Sequence, residues 1–350
     1  MTEAEVFGGA AETADGSDGA PSEAGTDPAS WEPARQEMLR EVLEGLERPT
    51  KELSPKFFYD HTGSELFEDI TRLPEYYPTR TEEALLEACV PAWVTRLAPA
   101  ALVELGAGSA RKTRVLLDAM VAEGSGRVFV PVDLSGDFLR NTVLQVRREY
   151  PGLSVEPLVA DIGEPLKLED RLPGPVLFVL LGGTIGNFPD ESGSRLLAGV
   201  GKAMGPGDRL VMGADLRPGG GKTVEEVEAA YNDASGVTAA FNLNLLRVLN
   251  RELGSDFRLD SFRHRAFYNA GAGRIEMHLV SQAPQSVRFG DGTTIPFAEG
   301  ETVRTEISCK YDRESMAALL ESAGLMVDEW AQDADDRFSL VLARPVEPGD

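Results

Sequence analysis

Residues 103–109 read Val-Glu-Leu-Gly-Ala-Gly-Ser, an acid and then a glycine turn, and they close a short apolar run that begins at Ala101-Leu102-Val103. A run that is apolar at every position suits a strand buried on both faces of a parallel sheet. Gly106 and Gly108 let the chain turn sharply and let a ligand approach bare backbone. From Thr113 to Met120 a helical apolar pattern resumes. Strand, glycine turn and helix in that order predict a doubly wound nucleotide-type site. An ordinary strand-to-helix turn that holds two glycines is the alternative.

Two kinds of cofactor use such a turn. A dinucleotide fold asks for Gly-x-Gly-x-x-Gly, the third glycine packing helix against strand. Here Arg111 stands at that third position, and Glu104 beside the turn would repel a pyrophosphate. S-adenosylmethionine carries a sulfonium, an amine, a carboxylate and a ribose but no phosphate, so an acidic neighbour is favourable. Further apolar runs also end in acids. Residues 127–133 end in Asp133, in the range for gripping ribose hydroxyls from the second strand. Residues 153–161 form a third run ending in Asp161, whose carboxylate could accept from an adenine exocyclic amine. Val176 to Leu181, followed by Gly182-Gly183-Thr184-Ile185-Gly186-Asn187, gives a fourth run, and Leu210 to Asp215 a fifth. Open α/β sheets bind ligands at the carboxyl ends of their strands. One strand-terminal Asp is more often a helix cap; two of them with Glu104 and the glycine turn favour a ligand.

Composition narrows the partners. The chain has 350 residues, 42% of them hydrophobic, enough for one large or two medium domains. A net charge of −24 repels nucleic-acid backbones and anionic membranes, so neither nucleic acid nor a membrane is an expected partner. Residues 1–30 carry seven acids and no Lys or Arg, and are expected to form a disordered acidic tail. They have neither the basic start nor the apolar core of a signal peptide, and no apolar run approaches the length of a membrane span. Cys89 and Cys309 are far apart, and His61, His264 and His278 lack ligand spacing, so neither a disulfide framework nor a metal site is expected. The expected location is the cytoplasm.

The ordered chain is expected to begin near Trp31. Residues 33–48 predict an amphipathic helix, with Leu39, Val42, Leu43 and Leu46 on one face. Residues 49–80 are dense in aromatic and turn residues; Tyr59, Tyr76 and Tyr77 carry hydroxyls that need partners when buried. A packed cap would use them as core, and a small polar substrate would partner their hydroxyls. The α/β core is expected over 81–216, and Arg217-Pro218-Gly219-Gly220-Gly221 marks a break. Residues 223–251 read as helical and 257–310 as β-rich. In 302–308 the alternation puts Glu306 and Ser308 on one side, with Arg304 and Lys310 in the same phase; pattern alone favours a solvated face of mixed charge. A helix over 313–323 and strands at Leu325–Trp330 and Phe338–Ala343 would return the chain to the sheet. Residues 217–310 therefore read as an insertion.

Phe57-Phe58-Tyr59-Asp60, Gly63-Ser64-Glu65-Leu66-Phe67 and the block Ile70-Thr71-Arg72-Leu73-Pro74-Glu75-Tyr76-Tyr77-Pro78-Thr79-Arg80 carry a family resemblance. It continues through Val103 to Thr113, Gly182 to Asn187, Tyr231 to Asp233, Gly236 to Asn242, Arg274 to Met277 and Thr305 to Lys310. From about residue 31 to 345 the chain resembles the S-adenosylmethionine-dependent histidine-specific methyltransferases. The resemblance implies an α/β fold: a class I, Rossmann-like methyltransferase core with a second, α+β substrate-binding domain. Residues 31–80 and 217–310 would build that second domain, 81–216 the core, and 311–350 the return to the sheet.

The implied reaction moves three methyl groups from S-adenosyl-L-methionine to the α-amine of L-histidine. The products would be hercynine (Nα,Nα,Nα-trimethylhistidine), for ergothioneine biosynthesis, and S-adenosyl-L-homocysteine. By resemblance Tyr59 steers the amine as the catalytic group. Asn187 and Tyr231 hold the carboxylate, Glu306 and Ser308 read the imidazole, and Tyr76 and Met277 lie against the ring. Gly106, Lys112, Asp133 and Asp161 match cofactor positions. A monomer acting on a small molecule is implied, with no metal. The alternative is the same fold acting on another amino acid such as tryptophan, against which Glu306 and Met277 argue. Arg111 speaks against a nicotinamide oxidoreductase, and Tyr59, Asn187, Tyr231 and Glu306 speak against a sensor without turnover.

Overall fold

The computed structural model describes residues 31–166, 168 and 172–347, so the expected acidic tail lies outside the described residues. The helices are α1 (Pro33–Leu46), α2 (His61–Ile70), α3 (Tyr77–Leu97), α4 (Thr113–Glu123), α5 (Gly136–Glu149), α6 (Asp190–Ala203), α7 (Val224–Ala229), α8 (Val237–Leu253) and α9 (Arg313–Ser322). The strands in the first half are β1 (Lys51–Glu52), β2 (Ala101–Leu105), β3 (Val128–Asp133), β4 (Ser154–Val155), β5 (Leu158–Val159), β6 (Val176–Leu180) and β7 (Arg209–Asp215). Those in the second half are β8 (Phe262–Asn269), β9 (Arg274–Ser281), β10 (Gln285–Arg288), β11 (Thr294–Phe297), β12 (Thr302–Cys309), β13 (Leu325–Gln332) and β14 (Phe338–Pro345).

Two compact units divide the chain. The larger takes Glu68–Asp233, Phe267–Ile275 and the chain from Ile307 onward. Its sheet has the order β13-β14-β7-β6-β2-β3-β4, with β5 also on β3. The strands from β7 to β4 run parallel, and β14 is antiparallel to both its neighbours. The uniformly apolar runs follow from burial on both faces. Leu102, Phe129 and Leu177 pack with Leu86 of α3, Leu117 of α4 and Leu139 of α5. Their strand neighbours Val103, Val130 and Phe178 point the other way and pack with Leu197 of α6 and Leu320 of α9. Helices on both faces of a largely parallel sheet are the doubly wound arrangement.

Two expectations change in detail. The single strand over 153–161 is two short strands, β4 and β5, each paired with β3. Pro157 lies between them and has no N–H to give the ladder. The helix over 223–251 is likewise two helices, α7 and α8. Gly236 precedes α8 with φ 76°, a left-handed conformation that ends one helix and starts the next.

The smaller unit takes the described residues up to Phe67 with Ala234–Ala266 and Glu276–Glu306. Strands β1, β12, β9 and β8 form a four-stranded sheet in that order, and β10 pairs with β11 as a hairpin. The divisions at Ala266, Glu276 and Glu306 fall inside β8, β9 and β12. Phe58 stacks on Phe241 of α8 with centroids 4.4 Å apart. Phe257, Phe262, Phe289 and Phe297 make a second aromatic group. Among the described residues no helix is long and apolar enough to cross a membrane.

The Asp60-to-Gly63 part of the family motif has a local structural reason. Asp60 precedes α2, and its Oδ1 accepts from the Gly63 N–H at 2.8 Å, as a helix N-cap does. Asn244 and Arg251 of α8 donate to the same carboxylate at 2.8 and 2.9 Å. Burial opposes its ionisation, but these donors hold the Asp60 carboxyl below its ordinary range. A Cβ on Gly63 would sit 1.7 Å from the Phe58 carbonyl oxygen, backbone that cannot step aside. Gly63→Ala is therefore expected to cost about 2–3 kcal/mol in a denaturant melt. Gly152→Ala, where a Cβ meets nothing within 4 Å, is the control and should stay within about 0.5 kcal/mol.

Candidate active site

In the larger unit the strand ends gather the expected cofactor residues. Gly106 and Gly108 follow β2 with φ of 72° and 51°. The N–H groups of Gly106 and Ala107 both donate to the Val132 carbonyl, at 2.8 and 2.9 Å, which ties the turn to β3. A Cβ on Gly106 would reach only Ile162 Cδ1 at 3.7 Å, and one on Gly108 would meet nothing within 4 Å. The turn thus leaves open backbone. The register Leu105↔Val132 sets Gly106 beside Asp133, and Asp133↔Val159 sets Asp161 two residues past the next strand.

Both acids are pre-positioned by backbone. Asp133 Oδ2 accepts from Gly108 N–H at 2.8 Å and Oδ1 from Ser135 N–H at 2.9 Å. Burial nonetheless raises the Asp133 carboxyl above its ordinary value. Asp161 Oδ1 accepts from Gly163 N–H at 2.8 Å. A carboxylate has about four lone-pair sites, so each keeps acceptor capacity beyond these bonds. Open glycine backbone with two fixed carboxylates fits a ligand bearing hydroxyls and an amine, and it disfavours a phosphate. Lys112, just before α4, turns instead to Glu82 of α3, and Glu82 accepts from the Gly182 N–H at 2.8 and 2.9 Å. Glu82 is fully buried, and it links Lys112 to the glycine loop after β6.

The substrate-type residues of this unit meet around a buried polar cluster. Tyr231 donates from its hydroxyl to Ser308 Oγ at 2.8 Å. The Tyr76 ring packs edge-on to the Tyr231 ring with centroids 6.1 Å apart. Asn187 closes the short 3-10 turn Thr184–Asn187. Its neighbour Gly186 is pressed so close to β12 that a Cβ would lie 2.8 Å from the Cys309 carbonyl and 3.4 Å from Ser308 Oγ. Beneath the two hydroxyls lies Lys310, donating to Tyr231 Oη at 3.0 Å and Ser308 Oγ at 2.8 Å.

In the smaller unit Tyr59 is half-buried, with its ring edge-on to Phe67 and Phe241 at 5.9 Å. Met277 and Glu306 are buried on the neighbouring strands β9 and β12. Thr305 Oγ1 donates to the Met277 carbonyl at 3.2 Å across that pair and to Asn242 Oδ1 at 2.7 Å. The solvated mixed-charge face expected from alternation is not found: Thr305, Glu306, Ile307 and Ser308 are all buried. Both faces of β12 are covered there, so alternation no longer separates water from core.

Sequence reasoning passed over Glu82, Asp215 and Lys222 and left Lys310 as one member of a phase. Glu82 had a signal, since it stands three and four residues before the core positions Leu85 and Leu86 and so on their helix face. An acid on a core-facing stripe marks a buried contact.

A sequence profile of the family described as histidine-specific methyltransferase, SAM-dependent, matches residues 38–345. The chain is 43% identical over 307 residues to a histidine N-alpha-methyltransferase of Mycobacterium tuberculosis, covering 87% of this chain and 94% of that one. It is 42% identical over 313 residues to one from Mycolicibacterium smegmatis, covering 89% and 95%. An L-tryptophan methyltransferase of Psilocybe serbica is 29% identical over 336 residues, covering 87% and 91%.

Glu104 provides a test by pH. It is buried in β2, with one oxygen bonded to the Thr113 hydroxyl and the other, Oε2, without a hydrogen-bond partner. Burial pushes its carboxyl up to about 8 from 4.5. A carboxyl raised on folding stabilises fully below the unfolded value and progressively less as pH climbs to the folded one, here between about 4.5 and 8. The difference amounts to roughly 5 kcal/mol at most. Glu104→Gln removes this titration, so the variant's melting temperature should gain on the unaltered protein by several degrees between about pH 5 and 8.5. A constant gap across that range would contradict the assignment.

Proposed function

The chain belongs to the S-adenosylmethionine-dependent histidine-specific methyltransferases, and from that membership we propose that it trimethylates the α-amine of L-histidine. The product is hercynine, the pathway ergothioneine biosynthesis and the setting the cytoplasm. The observation that carries the reading is the burial of Glu306 and Ser308, an acid and a hydroxyl two residues apart on β12. A ring with two nitrogens answers two such groups, whereas an indole offers a single N–H. Buried polar groups that demand a partner reject ligands lacking one far better than an apolar wall does.

Bound S-adenosylmethionine supplies an electrophilic methyl group on its sulfonium. Gly106, Asp133 and Asp161 are the residues to hold it, with Lys112 set at the same end of the sheet through Glu82 and Gly182. The remaining task of the protein is positional. Tyr59 orients the substrate amine with its hydroxyl, acting less as a strong base than as a guide for the lone pair. Asn187 and Tyr231 take the carboxylate with neutral donors. Met277 and Tyr76 wall the ring. The amine must shed a proton before each transfer, to water or a neighbouring hydroxyl, and the pocket must leave it room to rotate three times.

Mass spectrometry after incubation with S-adenosylmethionine and each amino acid tests the reading. Trimethylhistidine should be the only strong product; methylated tryptophan in its place would favour the alternative that the fungal relative exemplifies. Glu306→Ala should lower kcat/KM for histidine at least about tenfold. Unchanged histidine kinetics in that variant would remove Glu306 from ring recognition.

A further inference from the structure

The larger unit holds two ammonium groups in its interior, Lys310 and Lys222, with side chains fully shielded from solvent. Both touch one carboxylate. Asp215, the last residue of β7, takes Lys310 on Oδ2 at 2.8 Å and Lys222 on Oδ1 at 2.7 Å. Lys222 also donates to the carbonyls of Leu216 and Arg337 and lies 3.1 Å from Tyr77 Oη, which itself donates to Asp215 at 2.9 Å. The cluster's direct contacts therefore set two cations against one anion. A buried charge in excess is costly and calls for a counter-charge.

Lys310 faces the side where that counter-charge would arrive. An ammonium has three donors and no acceptor. Those of Lys310 go to Asp215 Oδ2, Tyr231 Oη and Ser308 Oγ. Each hydroxyl oxygen thus accepts from a full positive charge, which polarises its O–H bond and strengthens it as a donor toward an acceptor beyond. Gly186, without a side chain, brings the turn that carries Asn187 against Ser308 and Cys309. Alternation along β12 accounts for the placement, since positions 308 and 310 share a face.

We propose that Lys310 is a positioning residue for substrate recognition: held by Asp215, it acts through Tyr231 and Ser308 as the cation that selects an α-carboxylate. The substrate then meets neutral hydroxyls, yet the charge that balances its carboxylate lies one bond behind them. Lys222 and Tyr77 keep Asp215 in place and do not touch either hydroxyl in this arrangement. The inference rests on an α-amino acid being the acceptor, and deepens that reading.

The test is calorimetry on the full chain saturated with S-adenosylhomocysteine, using L-histidine and L-histidinol, whose carboxylate is replaced by a hydroxymethyl group. The unaltered protein should prefer histidine at least tenfold. A preference below threefold overturns the proposal with no variant needed. Lys310→Met leaves Asp215 paired with Lys222, and should weaken histidine at least tenfold while changing histidinol less than threefold. In turnover it should raise KM for histidine with kcat within about threefold. Lys310→Gln carries the same expectation should the Met variant fail to fold. Equal losses for both ligands, or histidine bound as in the unaltered protein, overturn it. Lys222→Met, which reports a merely structural role, should leave the ratio of the two ligands unchanged. If histidine itself is not the acceptor, tryptophan and tryptophol replace the pair, so that outcome stands apart from failure of Lys310.

Discussion

A single carboxylate, Asp215, fastens together parts of the larger unit that are remote in sequence. It ends β7, and its two oxygens hold Lys222 from the glycine-rich segment and Lys310 from just past β12. Lys222 adds the Arg337 carbonyl at the start of β14. The Arg217-to-Gly221 stretch, which reads as a mere break, closes on itself through Gly219 and Lys222, each donating its N–H to the other's carbonyl. The two lysines hold the Asp215 carboxyl below its ordinary value despite complete burial, and burial pulls Lys222 down. Removing one member leaves the others as buried charges without balance, so the group stands or falls together.

The same unit keeps opposite electrostatic signs apart. At the ends of β2, β3 and β5 lie Glu104, Asp133 and Asp161, acids set around open glycine backbone. Past β7 and β12 lie the two ammonium groups under hydroxyl caps. A zwitterionic amino acid and a sulfonium cofactor each carry both signs, and a fold that presents acids in one place and a shielded cation in another can orient such ligands by charge alone.

The sheet was readable because its strands are apolar at every position, which only burial on both faces requires, and because acids and glycines collect at their ends. Pro157 hid the split between β4 and β5, since hydrophobicity persists through it while the hydrogen-bond ladder does not. Gly236 hid the break between α7 and α8 for the same reason. At β12 the failure has another cause. Alternation sorts residues by face, and sorting becomes a statement about exposure only when one face meets water. With both faces covered, Glu306 and Ser308 look like surface residues in sequence and are interior in fact. Lys310 shares that phase, and its burial could not be inferred without its distant partner Asp215. Asp60 and Gly63 show the reverse: a conspicuous motif whose visible contacts make a helix cap.

That β12 carries Glu306, Ser308 and then Lys310 at alternate positions limits how this protein can change. Because side-chain direction repeats every second residue, losing or gaining one residue in Thr302–Cys309 would exchange the whole set for Thr305, Ile307 and Cys309. New acceptor preferences can therefore arise by replacing side chains in place. They cannot arise by altering the length of this strand, so relatives that diverge in substrate should differ here in residue type and agree in spacing.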